Sequence, residues 1–204
     1  MTDTQKKPLW KNELVWLFLI TSGLFAILYS KFILGGYAYV FTDTGADTMQ
    51  INYAQYGLFS SLFRSGESGY VLQAGLGMDV SSYYLAYLIP YNLLILLAPQ
   101  RLLPWAVLAS AYLKMITISL VGYLFYRKLM QDGIGTMAAA LAWTFSGYVI
   151  LWGQHYGFCT CMALFTVFMY FLQCYLNGEQ RWKSAGLVLT VTMLLISSYY
   201  FLYM

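Results

Sequence analysis

The chain has 204 residues, 60% of them hydrophobic and only 9% charged, with a formal net charge of +3 and a mean hydropathy of +0.62. Soluble domains run at about 45–50% apolar and about 25% charged residues, so this composition excludes a water-soluble globule and points to an integral membrane protein with several spans. The positive excess is no nucleic-acid footprint, because the basic residues fall at the ends of apolar runs, where membrane orientation accounts for them.

Residues 1–13 are polar, carry Lys6, Lys7 and Lys11, and are expected on the cytoplasmic side. Leu14–Leu34 follows. The apolar core of a signal peptide covers about 7–15 residues and ends in small residues. This run is longer and continues through Phe32, Ile33 and Leu34. It is therefore expected to be an uncleaved first span, with Lys31 snorkelling at its far end.

Residues 35–80 form the one long wet segment, an outer loop with four of the eight acids: Asp43, Asp47, Glu67 and Asp79. Apolar residues at 51, 58, 59, 62 and 63 lie near helical spacing, and Asp47 or Thr48 suits an N-cap. The pattern predicts an amphipathic juxtamembrane helix over Thr48–Arg64, lying along the interface. The Gly- and Ser-rich stretch from Ser65 to Ser82 predicts irregular loop.

Tyr83–Ala98, interrupted by Pro90 and stopped by Pro99, is either a short span or a re-entrant segment. Further spans are expected at Pro104–Tyr126, Gly135–Trp152, Phe158–Leu176 and Ser184–Met204. If Tyr83–Ala98 does not cross, then Lys6, Lys7, Lys11, Arg127, Lys128, Arg181 and Lys183 all fall on the inner side. If it crosses, both downstream basic loops move outside, against the positive-inside bias. Charge therefore favours the non-crossing reading, under which His155 shares a side with Asp43 and Asp47. The expected fold is all-α, a polytopic transmembrane helix bundle with an outer loop carrying a juxtamembrane helix. The last run reaches Met204 without a polar flank, as expected of the N-terminal piece of a longer membrane protein.

Asp43 and Asp47, four residues apart, fit two readings. T-D-T-G suits a tight turn and Asp47 a helix N-cap; equally, the pair suits a general base or cation ligand at the membrane surface. Lys114 sits ten residues into its span, about 15 Å deep at about 1.5 Å per residue. It fits a structural partner or a functional site facing a cavity. His155, the only histidine, fits a polar interfacial residue or a ligand for phosphate, acceptor or cation. Arg64 and Arg101 suit interfacial anchoring. Cys159 and Cys161 point to opposite sides of a helix, which with Cys174 reads as small-residue packing rather than a metal site. Gly75 and Gly77 lack the strand and third glycine of a nucleotide fingerprint.

The succession FTDTGADT, Gln50 and Tyr53, GLGMD, Tyr83-Tyr84, YLIPYNLLILLAP, Lys114 and WTFSGYVILWGQHYG resembles the start of the YfhO family of bacterial membrane proteins. Those are in turn similar to type C membrane glycosyltransferases, which take a sugar from a polyprenyl-phosphate carrier on the outer face. The resemblance implies a multi-pass protein of the bacterial cell membrane. Its partners would be a polyprenyl-phosphate sugar, an envelope glycopolymer acceptor such as teichoic acid, and the lipid bilayer, with no nucleic acid. It implies that Asp47 or Asp43 is the base, Asp47 being preferred because a helix start would fix its direction. Lys114 would attract the carrier phosphate, His155 would border the site, and Tyr83 and Tyr84 would stack on the sugar. A divalent cation on the acidic pair is compatible with it, although two carboxylates are few for such a site. Two other functions fit the residues: a transporter or lipid flippase built on Lys114 and the proline-broken segment, and a non-enzymatic assembly subunit.

Overall fold

The structure, a computed structural model, describes residues 12–41, 48–72, 77–81, 89–130, 132–179 and 181–197. Among them it is all-α apart from a hairpin of two two-residue strands, β1 (Tyr70–Val71) and β2 (Met78–Asp79). The stretch expected as irregular loop thus contains a short antiparallel ladder, closed where Gly77 takes a φ of +104° against the Tyr70 ring.

Helix α1 (Glu13–Leu28) starts at Asn12, whose side-chain oxygen accepts from the Leu14 N–H at 3.1 Å, satisfying one of the orphan donors of the first turn. The run expected as one span breaks at Tyr29 and resumes as α2 (Ser30–Leu34). At the break the Tyr29 ring stacks on Phe25, one turn earlier, with centroids 4.3 Å apart, and meets Tyr39 of the following strap edge-on at 5.2 Å.

A π-helical turn, Thr48–Tyr53, leads into α3 (Ala54–Ser65), which ends on Gly66 at a φ of +74°, a left-handed cap that glycine adopts without strain. The helical register predicted over 48–64 is present. Its Tyr56, Phe59 and Leu62 are buried within the protein core, so this face packs on protein instead of lying free along a lipid surface. Its main support is α4 (Pro90–Leu97), with proline in the first turn, where a missing N–H costs nothing. Eight residues of α4 cover about 12 Å, well under the ~30 Å hydrocarbon thickness. Ser60 Oγ donates to the Ala98 carbonyl at 2.6 Å, and Tyr56 Oη donates to Asn92 Oδ1 at 3.4 Å, joining α3 to α4.

After a 3₁₀ turn at Gln100–Leu102 come α5 (Leu103–Leu129), α6 (Gly133–Thr144), α7 (Gly147–Trp152), α8 (Tyr156–Leu176) and α9 (Arg181–Ser197). Asp132 caps α6 by accepting from the Ile134 and Gly135 N–H groups at 3.2 and 2.7 Å. The run expected as a span over 135–152 is divided at Phe145–Ser146, and the Ser146 hydroxyl starts α7 by accepting from Val149 N–H. Three helical stretches, Gln100–Leu129, Gly133–Trp152 and Tyr156–Leu176, are long and apolar enough to cross a membrane; Glu13–Leu28 and Trp182–Ser197 are shorter apolar helices. Ile27, Leu28, Leu34, Val188 and Leu189 are all more than half exposed, as a hydrocarbon surround requires. Between helices, hydroxyls pair in the interior: Thr21 with Ser119 at 2.7 Å, Ser22 with Tyr112 at 2.8 Å, and Trp143 Nε1 to Thr166 at 3.0 Å.

The bundle has two unlike ends. At one, Arg127 lies 3.7 Å from Glu13, and Glu179 accepts from both Lys128 and Lys183. This charged end gathers the start of α1, the end of α5 and the α8–α9 turn, the grouping that charge asymmetry had favoured. At the other end, the chain after α2 and the start of α3 meet the start of α8 through aromatic rings, and the π-helical turn meets the α7–α8 turn through the Thr48–Gln154 hydrogen bond. Between them α5 and α8 run parallel, with α1, α6 and α9 antiparallel to them.

Candidate functional site

The site builds up around Lys114, on the fourth turn of α5. Its side chain is only 2% exposed. An ammonium carries three donors, and among the described residues Nζ makes one hydrogen bond, to the Tyr156 carbonyl at 3.1 Å. That oxygen also accepts from Thr160 Oγ1 at 3.0 Å. Among the described residues no carboxylate lies within ion-pair distance of Lys114.

Electrostatically the placement is adverse. Tyr156 opens α8, so the ammonium sits at the helix end where the backbone dipole is positive and favours anions. One turn earlier on the same face of α5, Ser110 is 1% exposed and its Oγ has no hydrogen-bond partner among the described residues. Native interiors leave few such hydroxyls. Among the described residues, a cation without a counter-ion, a helix N-terminus and a hydroxyl without a partner occupy one locality, and all three are chemistry that an oxyanion would satisfy.

His155 immediately precedes α8, half-buried, with its ring 5.6 Å from Trp152 and 5.3 Å from Phe158 by centroids. Gln154 beside it accepts from the buried Thr48 hydroxyl at 3.4 Å. Thr48 directly follows Asp47 in the sequence. Lys114, His155 and the chain resuming after Asp47 therefore converge on the α7–α8 turn. Asp43, Asp47, Tyr83 and Tyr84 themselves lie outside the described residues.

Three aromatic residues that single-sequence reasoning passed over complete the locality. Tyr156 stacks on Tyr56 with centroids 5.3 Å apart and planes 11° from parallel, and its hydroxyl donates to the Tyr39 carbonyl. Tyr39 is 2% exposed and packs among Tyr29, Phe32 and Phe41. With 20 tyrosines in the chain, nothing in their type or spacing marks these. The one available signal was adjacency of Tyr156 to the sole histidine.

Cys159 and Cys161, both buried, face different neighbours because α8 is packed on both sides. Cys159 packs in the buried core that contains Tyr29, Tyr39 and Tyr156. Cys161 lines an apolar cleft of about 250 Å³ with Tyr148, Phe165, Phe168 and Leu194. Among the described residues, no three of His, Cys, Asp and Glu group as metal ligands, so a cation site would depend on Asp43 and Asp47. Comparison of the chain with protein-family models, curated proteins and solved structures found no match.

Proposed function

We propose that this protein is a membrane glycosyltransferase module that takes a sugar from a polyprenyl-phosphate carrier and transfers it to an extracellular envelope glycopolymer of the bacterial cell, such as teichoic acid. The observation that carries the reading is the buried Lys114 ammonium, which at the N-terminus of α8 meets a backbone carbonyl and no carboxylate among the described residues. Phosphate is the anion a lipid carrier would bring to that depth, and intramembrane charge of this kind marks functional sites more often than scaffolding.

In the proposed step, Asp47 or Asp43 takes the proton of an acceptor hydroxyl. The oxygen attacks the anomeric carbon, the bond from that carbon to the phosphate oxygen breaks, and the polyprenyl phosphate leaves carrying the electron pair. One displacement inverts the anomeric centre. Lys114 offsets the negative charge that grows on the leaving phosphate. Continuity of the chain from Asp47 to Thr48, and the Thr48–Gln154 hydrogen bond, support a base close to the same turn.

The test reconstitutes the protein in liposomes with a polyprenyl-phosphate sugar and a glycopolymer acceptor. Lys114→Met is expected to weaken carrier binding at least tenfold, about 1.4 kcal/mol, and Asp47→Asn to abolish transfer while leaving binding intact. Transfer that survives both Asp43→Asn and Asp47→Asn removes the enzyme reading. The broken passage α6–α7 favours a second reading, a lipid flippase, since interrupted helices line transport paths. That reading expects lipid movement that needs Lys114 and is indifferent to both aspartates.

A further inference from the structure

A lysine that is 2% exposed cannot meet a ligand until something moves, and the packing around it names the moving part. Residues 35–41 form a strap from α2 toward the π-helical turn. Tyr39 at its centre wedges between the α1–α2 junction and the α7–α8 turn. Its ring touches Tyr29, Phe32 and Tyr156, and its hydroxyl lies where a Cβ on Gly153 would come within 3.2 Å. Both flanks of the wedge lead to the same place, since Tyr156 supplies the carbonyl that holds Lys114, and Cys159, one turn further along α8, shares the buried core with Tyr29, Tyr39 and Tyr156.

The strap has both a hinge and somewhere to go. Gly36 takes a φ of +69°, a region that only glycine enters freely, directly after the residue that closes α2. A groove of about 410 Å³ opens between Lys31, Phe32, Gly35, Tyr37 and Val40, with Tyr37 68% exposed. A rotation at Gly35–Gly36 would carry the strap toward this groove. Two hydrogen bonds hold it down: the Tyr156 hydroxyl donates to the Tyr39 carbonyl, and Tyr39 Oη donates to Tyr29 Oη at a long 3.5 Å.

We propose that Tyr39 is a gate: the 35–41 strap closes an oxyanion site formed by Lys114, Ser110 and the first turn of α8, and swings at Gly35–Gly36 to admit a phosphate group. The proposal rests on the reading of Lys114 as a phosphate site, and it adds how that site is opened.

Native Cys159, 5% exposed and behind the wedge, reports on the gate without any sugar donor or transfer assay. Two variants of the full chain each keep one reporter, Cys159 alone or Cys174 alone, the others replaced by serine. The probes are an anionic sulfonatoethyl and a cationic trimethylammonioethyl methanethiosulfonate, whose sulfenyl sulfur the thiolate captures as a mixed disulfide, releasing methanesulfinate. Tyr39→Ala is expected to speed Cys159 modification about tenfold or more, with Tyr39→Phe close to the parent, because thiol reactivity follows access. The anionic reagent is expected to outpace the cationic one, and adding Lys114→Met to Tyr39→Ala to erase that preference while leaving access open. An unchanged Cys159 rate in Tyr39→Ala overturns the gate. A parallel rise at Cys174, which is fully buried near the charged end, also overturns it, since Tyr39 would then hold the whole bundle together. Gating with anion preference in a protein that transfers no sugar would leave the gate standing and remove the enzymatic reading.

Discussion

At the charged end, Arg127, Lys128 and Lys183 each reach a carboxylate, whereas at the aromatic end Lys114 is deeper than any of them and reaches a carbonyl. The paired cations are half-buried or exposed and sit where water can share the work of solvation. Their arrangement needs no ligand to explain it, because membrane orientation and surface ion pairing suffice. Lys114, 2% exposed, has no counter-ion among the described residues, and it sits at the wrong end of a helix dipole. The difference teaches that charge alone does not mark a site in this protein. Uncompensated charge does.

The sharpest way to break that comparison is to loosen the packing that keeps the aromatic end dry. Phe59, fully buried between α3 and its neighbours, is expected to cost about 3–5 kcal/mol when changed to Ala, read as a fall in the thermal midpoint. A melt that barely moves would show that the outer helices do not seal the site. Next is Lys114→Met, expected to stabilise the fold by about 1–3 kcal/mol, because it removes a buried charge that lacks a partner. If the variant instead loses stability, Lys114 is a structural staple for α8 and the contrast between the ends disappears.

Smaller effects bear on the shared scaffold. Ser119→Ala removes the interior hydroxyl bond to Thr21 at 2.7 Å and is expected to cost about 0.6 kcal/mol; a much larger loss would mean that polar pairing rather than packing holds α1 to α5. The smallest is Glu179. Hydrogen bonds from Lys128 and then Lys183 lower its carboxyl from about 4.5 to about 2. A depressed folded-state value means that its contribution is complete above about pH 4.5 and fades as pH falls toward 2. Glu179→Gln is expected to lower the midpoint slightly at neutral pH and to flatten the pH dependence across that window. A parent protein whose midpoint is already flat from pH 5 to pH 2 would show that the cluster is solvated on both sides of the transition.

The division of labour between chain and fold can be seen in particular stretches. The span Pro104–Tyr126 was legible because one long apolar run has one way to satisfy its backbone in lipid, and it appears as α5 with slightly wider bounds. The breaks at Tyr29 and at Phe145–Ser146 were not legible, since each depends on a distant packing partner or a local cap competing with a helix that the sequence alone would have continued. Lys114 was singled out from its depth in an apolar run. Its pairing with Tyr156, 42 residues away, left no trace in either local pattern. Ser110 was invisible for a related reason: a serine in a span is unremarkable until the groups around it are known to leave its hydroxyl unsatisfied.

What the sequence by itself determined was the solvent: composition demands a bilayer, because transfer free energies act residue by residue. What only the tertiary structure decided was which polar groups lack partners. Satisfaction of a donor or a charge is a property of neighbours brought together from far along the chain, so the isolation of Lys114, the exposure of α8's first turn to it and the wedge of Tyr39 above both exist only once the helices have packed.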